Sequence, residues 1–318
     1  MNGSLSATAA ALLPTADSSP RCADHQRAMA VDPGGTAIDA DVLVLVDAPL
    51  PWPAKIADHP LLAGRGPDIE IAVGRARVVA VVPPPDRSRA RVRLFWREGA
   101  EVLGAQCTID DPSELHDLFD DLERDHPQAV AAAHGGEATT TALVLVCGHG
   151  SRDQCCGTHG TRLARELAQL RPELTVERTS HLGGHRFSPT AMTLPDGRMW
   201  AHLGVDDLTA IIDRTMPATE ASPRCRGWWG ASMGAAQMAE RAAFAAVGWS
   251  LDDHEREVQV HSTPDGDFEC RVTWPAGTIE ARVAVTREVP TISCRSAGGL
   301  PAKPSLEYAV VSMSDHRE

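Results

Sequence analysis

At 318 residues and 43% hydrophobic content the chain has room for two domains with buried cores, and an aromatic fraction of 4% leaves alanine and valine to fill much of the interior. A formal net charge of −13 argues against nucleic acid and anionic membranes as partners, and eight irregularly spaced cysteines are too few for a disulfide scaffold. No apolar run approaches the roughly 18 residues of a membrane span, and Met1–Pro20 has no basic stretch ahead of its short apolar patch, so a cytoplasmic protein with reduced thiols is expected.

Residues 1–36 are rich in Ala, Ser, Thr, Pro and Gly and read as a mobile N-terminal tail. Cys22, near its end, is expected to be a packing cysteine; a further ligand or a redox thiol is the alternative. Residues 37–135 read as an α/β half. Asp41–Val46 is a strand stopped by the prolines of Asp47-Ala-Pro-Leu-Pro-Trp52. Arg75–Val82 and Arg89–Trp96 alternate like strands around the turn Pro83-Pro84-Pro85. Pro112–Glu123 places Leu115, Leu118, Phe119 and Leu122 on one helical face behind an Asp111 N-cap. Residues 126–140 read as a linker.

The unit 136–216 carries the chemistry. The β-prone run Thr141–Val146 delivers Cys147 to the glycine-rich loop CGHGSRDQCCG, which also holds Cys155 and Cys156. A helix over Thr161–Arg171 follows, and then a short strand, Leu174–Arg178, feeds a second loop, HLGGH, with His181 and His185. A hairpin, Pro189–Leu194 and Arg198–Leu203 around Pro195-Asp196-Gly197, and a helix over Asp206–Thr215 complete the unit. Two thiolates and two imidazoles form a full ligand set for zinc or for a 2Fe-2S cluster. Eight residues separate Cys147 from Cys156, and seven separate it from Cys155. Either gap is wider than the two to four residues usual between zinc cysteines and suits a larger object held by separate loops. Two glycines between the histidines disfavour a helical zinc-protease pair, and the glutamate of that motif is missing.

These residues resemble the sucrase/ferredoxin-like family, whose members carry a thioredoxin-like ferredoxin domain. The matching stretches are CGHGSRDQCCG at 147–157 and SHLGGHRFSPTAMTLPDG at 180–197, with a weaker match in Arg21-Cys22 and in 35–52. The resemblance implies an α/β (α+β overall) thioredoxin-like ferredoxin fold, preceded by a degenerate thioredoxin-like half. It also implies a 2Fe-2S cluster on Cys147, Cys156, His181 and His185, with Cys155 as the competing neighbour. A glycosidase needs two carboxylates flanking the scissile bond, and no such pair is recognisable, so sucrase activity is not expected. Imidazole in place of thiolate removes negative charge and raises the potential of such a cluster, and a titrating ring N–H would make that potential fall as pH rises.

Residues 217–318 read as a helix-plus-strand module: a Pro-, Ser- and Trp-containing connector over 216–229, a helix over Ala235–Val247, then strands at Glu257–His261, Phe268–Trp274, Ile279–Val285 and Tyr308–Met313. Cys225, Cys270 and Cys294 are expected to pack. The sequence offers no phosphate-binding glycine loop after a strand and no nicotinamide or flavin site, so electrons would pass to or from a separate redox partner protein. Three functions follow: a 2Fe-2S electron carrier or redox sensor, a cluster-free thiol oxidoreductase or oxidant sensor using Cys155 and Cys156, and a zinc-stabilised interaction protein.

Overall fold

The computed structural model describes residues 4–85 and 89–317. Residues 86–88, which continue the expected proline turn, and the first three residues of the expected tail lie outside the described residues. Val42–Asp47 is buried at every position, as a strand covered on both faces must be. It runs parallel to Gly74–Val81 and antiparallel to Ala90–Glu98, which pairs in turn with Glu101–Ile109. Leu143–Cys147 repeats the plan. It runs parallel to Val176–Thr179 and antiparallel to Ala191–Leu194, which pairs with Arg198–Trp200. The two halves therefore share one strand order, the mixed order of a thioredoxin-like unit.

The halves meet edge to edge in a single sheet. Val81 bridges Thr179, the Ser180 N–H donates to the Ala80 carbonyl at 2.7 Å, and the Val82 N–H donates to the Arg178 carbonyl at 3.1 Å. Arg93 from one half forms a buried ion pair with Glu177 of the other at 2.8 Å, while Arg91 binds Asp47 at 2.8 Å. These pairs satisfy charges that the join removes from water.

Helices cover the sheet where their apolar faces predict. Pro112–Leu122 buries the four expected residues, and the Asp111 carboxylate accepts from the Ser113 N–H at 2.8 Å. Thr161–Leu170 buries Leu163, Ala164 and Leu167, and Val205–Ile212 buries Leu208 and Ile211. The C-terminal part adds the helix Gly234–Val247 and a four-stranded antiparallel sheet ending in the long strands Gly277–Thr291 and Lys303–Arg317. Arg198, Glu240, Asp252 and Arg256 form a fully enclosed ion network between that helix and the large sheet.

Three expectations change. The stretch read as a mobile tail contains the helix Cys22–Ala28, whose Cys22, Ala23 and Gln26 are buried. The Gln26 amide donates to the Pro290 carbonyl, and Cys22 and Ala23 pack on Cys155 and Ile292. Small residues hid this helix, because its stability comes from tertiary packing rather than from a visible apolar stripe. The connector over 216–229 supplies Cys225–Trp228, an outer strand of the large sheet, and the linker over 126–140 includes the helix Pro127–Ala133. No described helix is long and apolar enough to cross a membrane.

Candidate metal centre

Cys147 ends its strand, and its N–H donates to the Thr190 carbonyl at 3.1 Å. The chain then turns through Gly148–Gly150 and re-enters a helix by a single π-helical turn, Cys156–Gly160. That turn lies flat against the end of the strand. A Cβ on Gly160 would stand 1.7 Å from the Cys147 carbonyl oxygen, so only glycine fits. The close approach brings the Cys156 thiol to Cys147, where it donates to the sulfur. His181 and the His149 N–H also face Cys147 and favour its thiolate. The Cys156 thiol first, then His181 against the cost of burial, hold Cys147 well below the usual thiol range, while Cys156 is pushed up. Burial lowers the His181 pKa while Cys147 opposes the fall, and its Nδ1 is buried without a hydrogen-bond partner.

The neighbouring cysteines face opposite ways. Cys156 joins Cys147, whereas the Cys155 sulfur lies 3.4 Å from that of Cys294. Cys22 stands between this pair and His185, 3.4 Å from the His185 Nδ1. Asp153 ties the groups together. One oxygen accepts from the N–H groups of Cys155 and Cys156 at 2.9 and 3.3 Å. The other lies 2.9 Å from His185 Nδ1 and 3.3 Å from the Cys22 sulfur. Burial opposes ionisation of Asp153, but His185, Cys22 and the Cys156 N–H hold it below the usual carboxylate range. Cys22 first, then the Ala23 N–H and Cys294 against the cost of burial, bring Cys155 down to about 6; Cys22 is pushed up in exchange.

His181 and His185 come together, their ring centroids 5.8 Å apart. Because Asp153 takes Nδ1 of His185, Nε2 is left as its free ligand atom. Cys147 and Cys156 thus share one buried cluster and the two histidine rings face each other, whereas the donor group whose atoms all lie within 4.8 Å is a different one, Cys22, Asp153, Cys155 and Cys294. The two ring nitrogens left over, together with two thiols of which one is already thiolate-prone, fit a soft metal centre.

Arginines that the sequence did not mark surround this volume. Arg226, fully buried on the strand Cys225–Trp228, donates to the carbonyls of Leu182 and Gly183 at 3.1 and 3.4 Å and to Thr36 Oγ1 at 3.1 Å. Its hydrogen bonds go to backbone and hydroxyl oxygens rather than to a carboxylate, and burial brings its pKa down to about 9 while Cys147 and Cys156 oppose the fall. Gly184, at φ +59°, sits so close that a Cβ would approach the Arg226 guanidinium carbon to 2.6 Å. The Gly183-Gly184 pair was the only hint that something large packs on that loop. Arg77 donates to the His181 carbonyl at 2.9 Å, and Arg186 is buried near Cys22. The carboxylates nearest Arg152 in sequence are engaged elsewhere, Asp153 with His185 and Glu166 with Arg162. His149 is buried and its Nε2–H donates to the Pro53 carbonyl, 2.8 Å away, and His159 contacts Arg21.

Residues 70–227, about half of the chain, match the family model described as sucrase/ferredoxin-like. A curated relative, the altered inheritance of mitochondria protein 32 of the yeast Meyerozyma guilliermondii, is 35% identical over 146 residues, which cover 42% of this chain and 50% of that protein. The chain therefore spans about half the length of this relative. No solved structure matches.

Proposed function

We propose, for a chain that belongs to the sucrase/ferredoxin-like family, that Cys147, Cys156, His181 and His185 hold a 2Fe-2S cluster and that the protein is a one-electron carrier or redox sensor. When bound, such a cluster supplies reversible one-electron chemistry without covalent change in the protein. The reading is carried by the convergence of Cys147, Cys156 and His181 in a buried volume next to the unpaired cation of Arg226.

The protein's own residues act on that centre in three ways. Asp153 holds the His185 ring by Nδ1 and so fixes which nitrogen is offered. The His149 N–H and the Cys156 thiol favour the thiolate at Cys147, the form that binds metal. Arg226 places a buried positive charge beside the site and favours whichever state carries more negative charge. The partner would be a separate reductase or acceptor protein, in keeping with the absence of a nicotinamide or flavin motif from the sequence.

The test is anaerobic purification followed by visible absorption, EPR after dithionite reduction, and counts of iron and sulfide. A red-brown protein with about two irons and two sulfides per chain is expected, with the colour lost in Cys156→Ser and kept in Cys155→Ser. A wild-type protein without iron after reconstitution with iron and sulfide, or colour that depends on Cys155 instead of Cys156, refutes the assignment.

A further inference from the structure

We propose that Cys22, Cys155, Cys294 and Asp153 form a second metal centre, a structural zinc site that fastens the N-terminal helix and the C-terminal loop onto the loop bearing Cys147 and Cys156. The ligand atoms of these four residues all lie within 4.8 Å of one another. Cys155 and Cys294 are 3.4 Å apart, and the Cys22 sulfur is 3.3 Å from an Asp153 oxygen. A tetrahedron with Zn–S near 2.3 Å and Zn–O near 2.0 Å separates neighbouring ligand atoms by roughly 3.5–3.8 Å. The four groups therefore need only small shifts to surround the ion.

The surroundings suit bound thiolates. The backbone N–H groups of Ala23 and Cys22 face Cys155 and Cys294 and favour their thiolates. Backbone dipoles so placed offset the charge of bound thiolates. Three thiolates and a carboxylate around a divalent ion leave an excess of negative charge, and Arg186 is buried beside Cys22. Without a cation, three sulfurs and an ionised oxygen share one enclosed volume.

Donor chemistry selects the metal. Calcium and magnesium take oxygen ligands, whereas three thiolates with a carboxylate in a closed four-ligand set suit zinc. Cys22, Asp153 and Cys155 are buried, while Cys294 opens onto a cleft lined by Arg152, His185, Ser293 and Lys303, a route by which the ion enters. Asp153 connects the two centres, since the carboxylate that would face zinc also holds His185.

The site does not require that Cys147 and its partners hold iron, and the experiment keeps the two questions apart. The full chain is purified without oxygen under reducing conditions and exposed to zinc, and unbound metal is removed. Zinc and iron are then counted separately, and the zinc K-edge spectrum is recorded. About one zinc per chain is expected, with three sulfurs and one oxygen around it. Cys22→Ser and Cys294→Ser should each lower zinc occupancy at least tenfold with iron unchanged, and Cys156→Ser should keep its zinc. Should the serine variants fail to fold, the wild-type spectrum decides alone. Three results overturn the proposal: no retained zinc, a shell of two sulfurs and two nitrogens that places the ion on the other ligand set, or a Cys155–Cys294 disulfide in the place of zinc.

Discussion

Asp47 and Cys147 occupy the same place in the two halves of the sheet. Each ends the central strand of its half, and they share one row of the register: Asp47 lies opposite Val81, Val81 opposite Thr179, and Thr179 opposite Cys147. The fold therefore offers the same strand end twice. In one half it carries a thiolate-prone sulfur beside Cys156; in the other it carries a carboxylate clamped by Arg91 and, at the edge of contact, Arg93.

If the Asp47 end is purely structural, Asp47→Asn should leave two buried guanidiniums short of charge. A loss of about 2–4 kcal/mol in urea unfolding is expected, with iron and sulfide content unchanged. Loss of iron without loss of stability would contradict this division of labour.

The enclosed network of Arg198, Glu240, Asp252 and Arg256 locks the C-terminal helix to the sheet. Arg198 also stacks 3.8 Å above Phe244, and Arg256 stacks 4.0 Å above Trp228. Glu240→Gln removes one of two carboxylates from two buried arginines and should cost about 3–5 kcal/mol. Because Trp228 follows Arg226 by two residues, the variant should also loosen the HLGGH loop, seen as faster hydrogen exchange at Gly183 and Gly184.

Arg226 is the buried cation that the candidate centre feels most directly. Arg226→Gln keeps hydrogen-bond donors near Leu182 and removes the charge. On the reading proposed above, its midpoint potential should fall by on the order of 50 mV, about 1 kcal/mol for one electron. Protein-film voltammetry measures this, and an unchanged potential would show that Arg226 serves the loop alone.

His202, packed on Phe187 beyond the HLGGH loop, provides a pH test outside the candidate ligand set. Its pKa is lowered to about 4 by burial and by Arg27 and Arg224 nearby, and its Nδ1 is buried without a partner. The folded state holds the neutral ring while the unfolded chain protonates near 6.5, so the stability it contributes is whole above that pH and is lost as pH falls toward 4. Asp196 has the opposite sign, since burial and Asp252 raise its carboxyl to about 6 and its contribution is lost as pH rises through that value. The comparison is therefore wild type against His202→Asn, a residue that tolerates the φ of +56° there. The difference in unfolding free energy between pH 7.5 and 5 should shrink by roughly 1–2 kcal/mol in the variant. An unchanged difference would mean that His202 does not titrate in this window.

Much of this was legible in the sequence because ligand type and loop glycines stand next to each other there. Cys147, Cys156, His181 and His185 lie on two short loops at the ends of β-prone runs, and the fold brings those loops together. That Cys155 and Cys156 face opposite ways was not legible, because it depends on how a π-turn rotates the two side chains. The sequence marks Cys22 only as an alternative ligand or redox thiol, and Cys294 only as a packing cysteine. They reach Asp153 and Cys155 from more than a hundred residues away, through packing of a short, largely polar helix and a glycine loop that have no periodic signal. Arg226 was hidden in a stretch that reads as a connector, and only the crowding around Gly184 indicates what lies against it.

The join at Val81 and Thr179 bears on how this protein can be dissected at the bench. Cutting out residues 136–216 as a minimal unit would strip the cover from the edge of Val176–Thr179 and strand Glu177 without Arg93, and would discard Arg226. An exposed, newly unpaired strand edge is a template for intermolecular pairing. A fragment trimmed to the ligand loops is thus expected to collect in inclusion bodies whatever metal it is given, and its insolubility would carry no information about the cofactor.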